Sequence, residues 1–511
     1  MNTHLSPSLI QSHRQCPKRA WLEFHGGVEP QASIGAQAIL EQGQAVHASA
    51  RTCFAGAERI RPDLLLVDAA AQTRTELAAL ASGVAGATLL GGAFVSESLG
   101  VGLRVDALER TTGGWRLVCF KSGSTVKDEY LDDCAIDLAC LQDAGVVVTD
   151  VCIMHPDTAR VRPVGGTGAE VFTRESVLDA VYWQSHQVVR WVKSCQESLT
   201  GAVPCVEPGE QCKTPHECPF ASYCGKPAEN TDVDQVQFLP SKAGVVKELI
   251  ASGISRISDM PFGAMKHERN ALVREAIVQN RAIIRADIAD QIRNLPYPRF
   301  FVDFEAAGFA IPRFDGMRPY QALPFQWSTH KSGRPGHLEH SEFLDVSGND
   351  PRRGFTESLL SVLGTSGPVL VYSSYEQTRL KELALEFSDL KDAILAVVDR
   401  LVDLLKLARL GYYHPDMRGS WSLKKIAPTL PPCAELESYE DMDDVADGMA
   451  AQAAYMMQID PNCIGPQKEA QKIKMLRYCK ADTRGLVHFV ECMQGAIEPV
   501  CAARPEMLEA V

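Results

Sequence analysis

The chain has 511 residues, of which 45% are hydrophobic and 23% are charged, so it is long enough to form two or three domains with buried cores. Its formal net charge of -13 argues against a protein that coats nucleic acid through a generally basic surface. Every apolar stretch is interrupted before it reaches the roughly 18 residues that a membrane span needs, so we expect no membrane contact.

The first part of the chain alternates between helical and strand patterns. Residues 1–25, with Ser6 or Ser8 as the N-cap, and residues 38–55 have helical patterns. Strand patterns follow at residues 88–96, 100–110 and 114–121, then a helix at 130–144, a β-branched strand at 146–155 and a helix at 175–199. A polar linker covers residues 227–234. We therefore predict a mixed α/β domain over residues 1–228.

Four cysteines stand near the two ends of this domain. Cys16 lies in Gln-Cys-Pro-Lys-Arg, and Cys212, Cys218 and Cys224 follow the last helix. Sixteen cysteines in an acidic chain without an evident secretory leader favour thiolate ligands and buried thiols over disulfides, and they indicate a cytoplasmic protein. Four thiolates can hold zinc or an iron-sulfur cluster. The spacing does not decide between the two, because zinc usually prefers Cys-x-x-Cys pairs.

Three polar residues between these cysteines fall on predicted core elements. His47 lies in the second helix, Asp106 in a strand and Lys121 at the end of the next strand. This order resembles the RecB-like core of the PD-(D/E)XK nucleases, and the cysteines resemble the [4Fe-4S] staple of RecB-type members. The resemblance implies a nuclease site at the three polar residues. It also implies a [4Fe-4S] cluster, with Zn²⁺ as the alternative, on Cys16, Cys212, Cys218 and Cys224.

The chain departs from the RecB-like pattern at two positions. The family has an acid two residues before the lysine and a glutamine on the next helix, where this chain has Cys119 and Asp137. A neutral thiol is a poor ligand for Mg²⁺, so we expect impaired cleavage by this domain. Asp133 or Asp137, one turn apart, is an alternative source of the missing acid. Otherwise the domain would bind or guide nucleic acid, with phosphate contacts from Lys18, Arg19, Arg104, Lys121 and Lys127.

Residues 229–297 are predicted to form a helical spacer. One helix is expected to end with Gly253 as its C-cap, after which Ile254 and Ile257 return to the core. The Leu-x-x-x-Gly-Ile pattern is similar to helix-hairpin-helix-like modules that grip a sugar-phosphate backbone. A plain helical connection is the alternative.

The pattern with the clearest chemistry begins at Arg299. In Val302-Asp303-Phe304-Glu305 the two carboxylates alternate with apolar residues, so on a strand both point to one face. Far downstream, Tyr478 and Asp482 are four residues apart in a helical run and share one helix face. Hard cations such as Mg²⁺ or Mn²⁺ prefer oxygen ligands. Two such ions about 3.5–4 Å apart can activate water and stabilise the leaving oxygen of a phosphodiester.

These residues resemble the motifs of the DEDDy exonucleases in the ribonuclease H-like superfamily. Asp303-x-Glu305 corresponds to the first motif and Tyr478-x-x-x-Asp482 to the third, while Tyr372-Ser-Ser-Tyr-Glu376 departs from the second by having glutamate instead of aspartate. The resemblance implies metal ligands and a tyrosine, Tyr478, that orients the attacking water; the ligands are Asp303, Glu305, Glu376 and Asp482. We predict a mixed sheet flanked by helices over residues 298–511, in which Asp403 is a helix cap or a supporting group instead of a ligand.

The two domains in this order are similar to a bacterial two-nuclease family of unknown function. We expect a metal-dependent 3'-5' exonuclease whose N-terminal domain binds or guides DNA or RNA. A largely non-catalytic nucleic-acid-binding or sensing protein of a repair or phage-defence system, with protein partners, is the alternative that Cys119, Asp137 and Glu376 keep open. Cleavage by the N-terminal domain through a migrated carboxylate is a third possibility.

Overall fold

The computed structural model of the protein describes residues 4–31, 33–81, 85–225, 232–241, 243–260, 267–433, 448–461, 463 and 465–495. Contacts divide the chain into two compact units, one formed by Met1–Glu229 with Gly308–Gln321 and the other by Asn230–Ala307 with Ala322–Val511. Both units mix helices with sheets. Over the ranges just given, no helix combines the length and the apolar character that a bilayer span requires.

The first unit contains eight of the described helices and eight of the described strands. The helices are α1 (Pro7–Gln15), α2 (Pro17–His25), α3 (Ile34–Thr52), α4 (Leu66–Ala81), α5 (Asp128–Asp143), α6 (Leu178–Ser185), α7 (Val188–Thr200) and α8 (Ala221–Cys224). The strands are β1 (Glu58–Arg59), β2 (Thr88–Leu90), β3 (Ala93–Ser96), β4 (Val101–Arg104), β5 (Ala107–Arg110), β6 (Trp115–Phe120), β7 (Val148–Pro156) and β8 (Phe172–Ser176).

A six-stranded mixed sheet forms the centre of this unit, in the order β1-β2-β5-β6-β7-β8. Strands β6 and β7 are parallel and α5 connects them, while β5 and β8 run antiparallel to their neighbours. Every residue of β6 except Arg116 is buried, as expected for a strand with neighbours on both edges and side chains packed on both faces. The apolar face of α5, including Ile136 and Leu138, packs into the same core as Leu117.

The N-terminal helical pattern is divided into two helices at Cys16. Ser6 caps α1 by accepting a hydrogen bond from the Leu9 amide, as one of the two expected caps. Cys16 has extended backbone angles because Pro17 disfavours helical geometry in the residue before it, and Pro17 then opens α2. The prediction of one continuous helix was therefore wrong at this residue.

The helix predicted from residue 175 begins later than expected. Residues 172–176 form β8, which pairs antiparallel with β7, and the helical part is divided between α6 and α7. Cross-strand pairing outweighs the local helical pattern here, since the edge of the sheet offers backbone hydrogen bonds to this segment.

The second unit contains the remaining described elements. Its helices are α9 (Ala243–Ala251), α10 (Glu268–Gln279), α11 (Ala286–Arg293), α12 (Arg352–Leu363), α13 (Tyr375–Glu386), α14 (Lys391–Val398), α15 (Leu404–Gly411), α16 (Leu423–Ile426), α17 (Gly448–Ile459) and α18 (Pro466–Met493). Its strands are β9 (Ile283–Ile284), β10 (Arg299–Gly308), β11 (Ala322–Arg334), β12 (His337–Leu344), β13 (Val369–Val371), β14 (Leu401–Asp403) and β15 (Tyr412–Tyr413).

A five-stranded sheet in the order β12-β11-β10-β13-β14 organises this unit. Strands β10, β13 and β14 run parallel, and β11 and β12 form an antiparallel pair. The carboxyl ends of the parallel strands therefore meet at one edge of the sheet, where Glu376 follows β13 and Asp403 ends β14.

The segment predicted as a spacer contributes to the core of the second unit. Val246 and Leu249 of α9 pack against a cluster that also contains Leu272 of α10, Phe301 of β10 and Phe489 of α18. The described parts of residues 230–297 thus share one hydrophobic core with the sheet.

Candidate metal centre

Alternation along β10 separates the carboxylates from the apolar core. Phe300, Val302 and Phe304 pack into one cluster beneath the sheet, while Phe301 packs into another cluster on the opposite side. Asp303 and Glu305 share the face of Phe301, because successive strand residues point to opposite sides. The strand therefore presents both carboxylates toward the side on which α18 packs.

Helix α18 supplies the third carboxylate of the centre. Carboxylate oxygens of Asp303, Glu305 and Asp482 lie within 4.8 Å of one another, although 177 residues separate Glu305 from Asp482 in the sequence. Tyr478 lies one helical turn before Asp482 and is buried. The three acids and the phenol are thus the residues that the two motifs at the start and end of this domain predicted.

Glu376 lies beside this group but outside it. It occupies the first turn of α13, directly after β13, and its side chain is buried. Its Oε2 atom has no hydrogen-bond partner in the described part of the chain, which is costly for a buried carboxylate. Its charge acts on Asp303, but its oxygens are not within the 4.8 Å group.

Burial and nearby negative charges raise the pKa values of Asp303 and Glu376. Burial raises the pKa of Asp303 well above its usual range, and the charges of Asp482, Glu305 and Glu376 raise it further. Burial also raises the pKa of Glu376 to about 7, with a contribution from Asp403 that Arg379 partly offsets. Such an arrangement is unfavourable in the absence of a cation, and the oxygen-only donor set fits Mg²⁺ or Mn²⁺.

Several neighbours of the centre were not predicted as part of it. The thiol of Cys479, fully buried on α18, donates to Oδ2 of Asp303 at 3.4 Å. Nζ of Lys424 lies 5.5 Å from the centroid of the Tyr478 ring. Burial raises the pKa of Tyr375 to about 12, and the centre's carboxylates Glu305, Glu376 and Asp303 contribute to this increase. Of these neighbours, only Tyr375 and Cys479 could have been found from the sequence, since each is next to a motif residue.

Asp403 has the supporting role that the sequence suggested. Its Oδ1 atom accepts a hydrogen bond from the Lys406 amide at 3.2 Å, which makes it the N-cap of α15. Its negative charge nevertheless reaches Glu376 and raises the pKa of that residue.

A family model described as a domain of unknown function (DUF2779) matches residues 300–422. The matched range contains Asp303, Glu305 and Glu376 and ends before Tyr478 and Asp482. A search of curated proteins finds no match to the chain.

A second candidate site lies in the first unit, where Cys16, Cys212, Cys218 and Cys224 line one cavity. Cys205, which is not one of the four predicted ligands, is exposed and does not line it. Cys16 stands at the N-cap of α2, and the side chains of Lys18 and Arg19 also border the cavity. Burial raises the pKa of the Cys218 thiol, and the charge of Arg19 opposes this increase.

The spacing of these thiols tests which metal group they can hold. Tetrahedral zinc with Zn–S bonds of about 2.3 Å holds its sulfur atoms about 3.8 Å apart. Among the described residues, no three of the four sulfur atoms lie within 4.8 Å of one another. None of the described cysteines forms a disulfide. The four thiols thus line one cavity without the sulfur spacing of a preformed zinc site.

Of the three residues predicted to form a nuclease site in the first unit, His47 and Asp106 lie together and Lys121 does not join them. Nδ1 of His47 lies 3.0 Å from Oδ1 of Asp106, whose other oxygen accepts a hydrogen bond from the Phe120 amide at 2.8 Å. Lys121 instead forms an ion pair with Asp133 at 2.5 Å. Over the described part of the chain, no group of three ligands within 4.8 Å forms in this unit.

Proposed function

We propose that the second unit is a metal-dependent 3'-5' exonuclease with a DEDDy-type centre on a ribonuclease H-like sheet. The observation that carries this proposal is the convergence of Asp303, Glu305 and Asp482 within 4.8 Å from two distant elements. The orphaned oxygen of buried Glu376 supports a fourth ligand. Both observations suit a site for hard cations, which oxygen ligands bind. A purely structural role explains neither, because the neighbouring carboxylates would repel one another.

Each residue has a distinct role in this proposal. Asp303, Glu305, Glu376 and Asp482 would hold Mg²⁺ or Mn²⁺. When bound, the ions would activate water and stabilise charge on the leaving oxygen of the phosphodiester. Tyr478 would orient the attacking water through its hydroxyl, and the neighbouring Lys424 cation would favour the negative charge that develops near the phenol.

The first unit is proposed to bind or guide the nucleic acid on a RecB-like core stabilised by a [4Fe-4S] cluster. The cavity lined by Cys16, Cys212, Cys218 and Cys224 supports the cluster. The thiol at Cys119 and the pairing of Lys121 with Asp133 support a binding role over cleavage, since a thiol occupies the strand position of the expected acid and the lysine is held in an ion pair.

Cleavage of end-labelled single strands of DNA and of RNA in Mn²⁺ tests the proposal. We expect a product ladder with the wild-type protein and with Asp106→Ala, and a loss of at least about a hundredfold with Asp303→Asn. Asp392→Asn, an exposed carboxylate on α14, is the matched control and should cleave normally. A ladder that Asp106→Ala removes and Asp303→Asn leaves would assign cleavage to the first unit, and no ladder from any preparation would favour a non-catalytic binding protein.

A further inference from the structure

Helix α18 carries a second set of polar side chains beside the metal-facing set. Arg477, Lys480 and Arg484 are spaced by three and four residues, so they form one stripe along the helix. Arg477 is one residue before Tyr478, which places the two stripes about 100° or more apart around the helix axis. The helix that supplies Tyr478 and Asp482 to the metal centre therefore presents cations on a different face.

This basic stripe borders a cavity of about 450 Å³ in the second unit. The opposite wall is formed by His330 of β11 and by Leu338 and His340 of β12. No carboxylate is among the lining residues in the described part of the chain, although the whole chain carries an excess of 13 negative charges. A volume of this size exceeds a phosphate ion and falls in the range of pockets that hold small molecules.

Hydrogen bonds fix the two histidines at the cavity wall. Nδ1 of His330 lies 2.8 Å from the Thr483 hydroxyl, and Nε2 of His340 lies 3.0 Å from the Ser328 hydroxyl. The two hydroxyl groups are themselves 2.9 Å apart. This chain of contacts leaves Nε2 of His330 without a hydrogen-bond partner among the described residues, so the nitrogen is available to a ligand.

Burial and neighbouring cations lower the pKa values of the two histidines. Burial lowers the pKa of His330 to about 3, and the charges of Arg484 and Lys480 contribute to the decrease. Burial and Lys480 lower the pKa of His340 to about 4. Among the described residues, two carboxylates stand at the margin: Glu491 lies 3.6 Å from Arg484, and Glu342 lies 3.8 Å from His340. The cations on the cavity wall still outnumber these two acids.

We propose that this cavity binds the phosphate group of a nucleotide, either as a free mononucleotide or as a unit of a nucleic-acid strand. Arginine and lysine supply the charge-assisted hydrogen bonds that phosphate oxygens accept, and the neutral imidazole of His330 offers one more polar contact. Leu338 and the histidine rings provide a less polar wall for the attached nucleoside. The site goes beyond the proposed nuclease centre and does not require it, since arginine and lysine side chains would hold its ligand without a metal ion.

Binding measured in EDTA tests the site separately from the metal centre. Fluorescence anisotropy with a labelled single-stranded decanucleotide and calorimetry with adenosine monophosphate provide the two probes. We expect Lys480→Glu and Arg477→Glu each to weaken binding by about tenfold or more, because each loses a charge-assisted hydrogen bond and places a negative charge beside the phosphate. Lys480→Arg should retain most of the affinity.

Lys391→Glu is the matched control, because Lys391 is an exposed lysine at the start of α14 and lies outside the cavity. Circular dichroism and melting curves establish that each variant is folded. Weakening of both probes by the two cavity variants alone would support the site with a free nucleotide as ligand, and weakening of the decanucleotide alone would identify the phosphate of a strand. Equal weakening by Lys391→Glu, or unchanged binding by both cavity variants, would overturn the proposal.

Discussion

The sulfur atom of Cys119 on β6 lies 3.7 Å from Oδ2 of Asp137 on α5. A thiol therefore occupies the strand position at which the resemblance to RecB-like nucleases predicts an acid, and a carboxyl group reaches this thiol from the neighbouring helix. Burial raises the pKa of Asp137 to about 7, an effect that Lys121 opposes and that Asp133 and Asp106 increase. The carboxyl is thus near in space to the missing acid but is protonated more readily than an ordinary aspartate.

This raised pKa predicts that the protein loses stability as the pH rises. Between about pH 4 and pH 7 the unfolded chain has released the Asp137 proton while the folded protein still holds it, so the free energy of unfolding contributed by this group decreases across that window. Asp137→Asn should remove the decrease and make the protein more stable than the wild type at pH 7.5, with little difference at pH 4. Urea unfolding at several pH values measures the effect.

Asp128→Asn is the control, because Asp128 lies on the same helix and is exposed. It should leave the dependence of the unfolding free energy on pH unchanged. The same dependence in Asp137→Asn and in the wild type would contradict the prediction.

Local chemistry explains why some of this structure could be predicted from the sequence. Alternation in Val302-Asp303-Phe304-Glu305 determines which side chains share a strand face, and the four-residue spacing of Tyr478 and Asp482 determines a helix face. The Gly253 C-cap also follows from local sequence, and its φ of +81° is the left-handed geometry that glycine accepts readily. These features depend on neighbours within a few residues.

Features that depend on contacts between distant residues could not be predicted in the same way. Lys121 pairs with Asp133, although the resemblance placed it at the Asp106 site, because the fold brings α5 over the end of β6. Residues 172–176 form a strand since β7 offers them a partner. The cavity beside Lys480 needs His330 and His340 from two other strands, and no sequence spacing connects these residues.

The raised pKa of Glu376 predicts a pH dependence of metal binding. A ligand carboxyl must release its proton to bind a cation, so protonation of Glu376 below about pH 7 should weaken the binding of Mn²⁺ as the pH falls. Glu376→Gln should bind Mn²⁺ more weakly than the wild type at about pH 8. At about pH 6, where Glu376 is mostly protonated in the free protein, the variant should release nearly one proton fewer per binding event. Calorimetry in buffers of different ionisation enthalpy measures this proton release. An unchanged proton count in Glu376→Gln would show that Glu376 is not a ligand.

The cavity lined by four cysteines predicts that replacing a lining cysteine alters metal content and stability, whereas replacing an exposed cysteine does not. Cys218→Ser should remove iron from protein purified without oxygen, abolish its visible absorbance and lower its melting temperature, because the cluster would tie α2 to the segment that contains Cys212 and Cys224. Cys205→Ser should change none of these properties, since Cys205 is exposed and lies outside the cavity. Stoichiometric zinc in the wild-type protein would overturn the cluster assignment, and full iron content in Cys218→Ser would exclude Cys218 as a ligand.

The turn that precedes Glu376 contains a backbone conformation that only glycine adopts without cost. Ser373 has a φ of 122°, whereas the next residue, Ser374, has a φ of -88°. A non-glycine residue held in such a conformation costs about 1–3 kcal/mol, and strain of this kind concentrates at functional sites. Ser373→Gly should therefore raise the free energy of unfolding by about 1 kcal/mol, after the loss of the hydrogen bond that its hydroxyl accepts from the Tyr375 amide. Ser374→Gly should lower it by about 0.5–1 kcal/mol, because glycine there only increases the entropy of the unfolded chain.

Chemical denaturation of both variants provides the comparison. If Ser373→Gly is destabilised as much as Ser374→Gly, the turn does not hold strain. If instead it is stabilised but cleaves more slowly, the rigid turn positions Glu376 for catalysis.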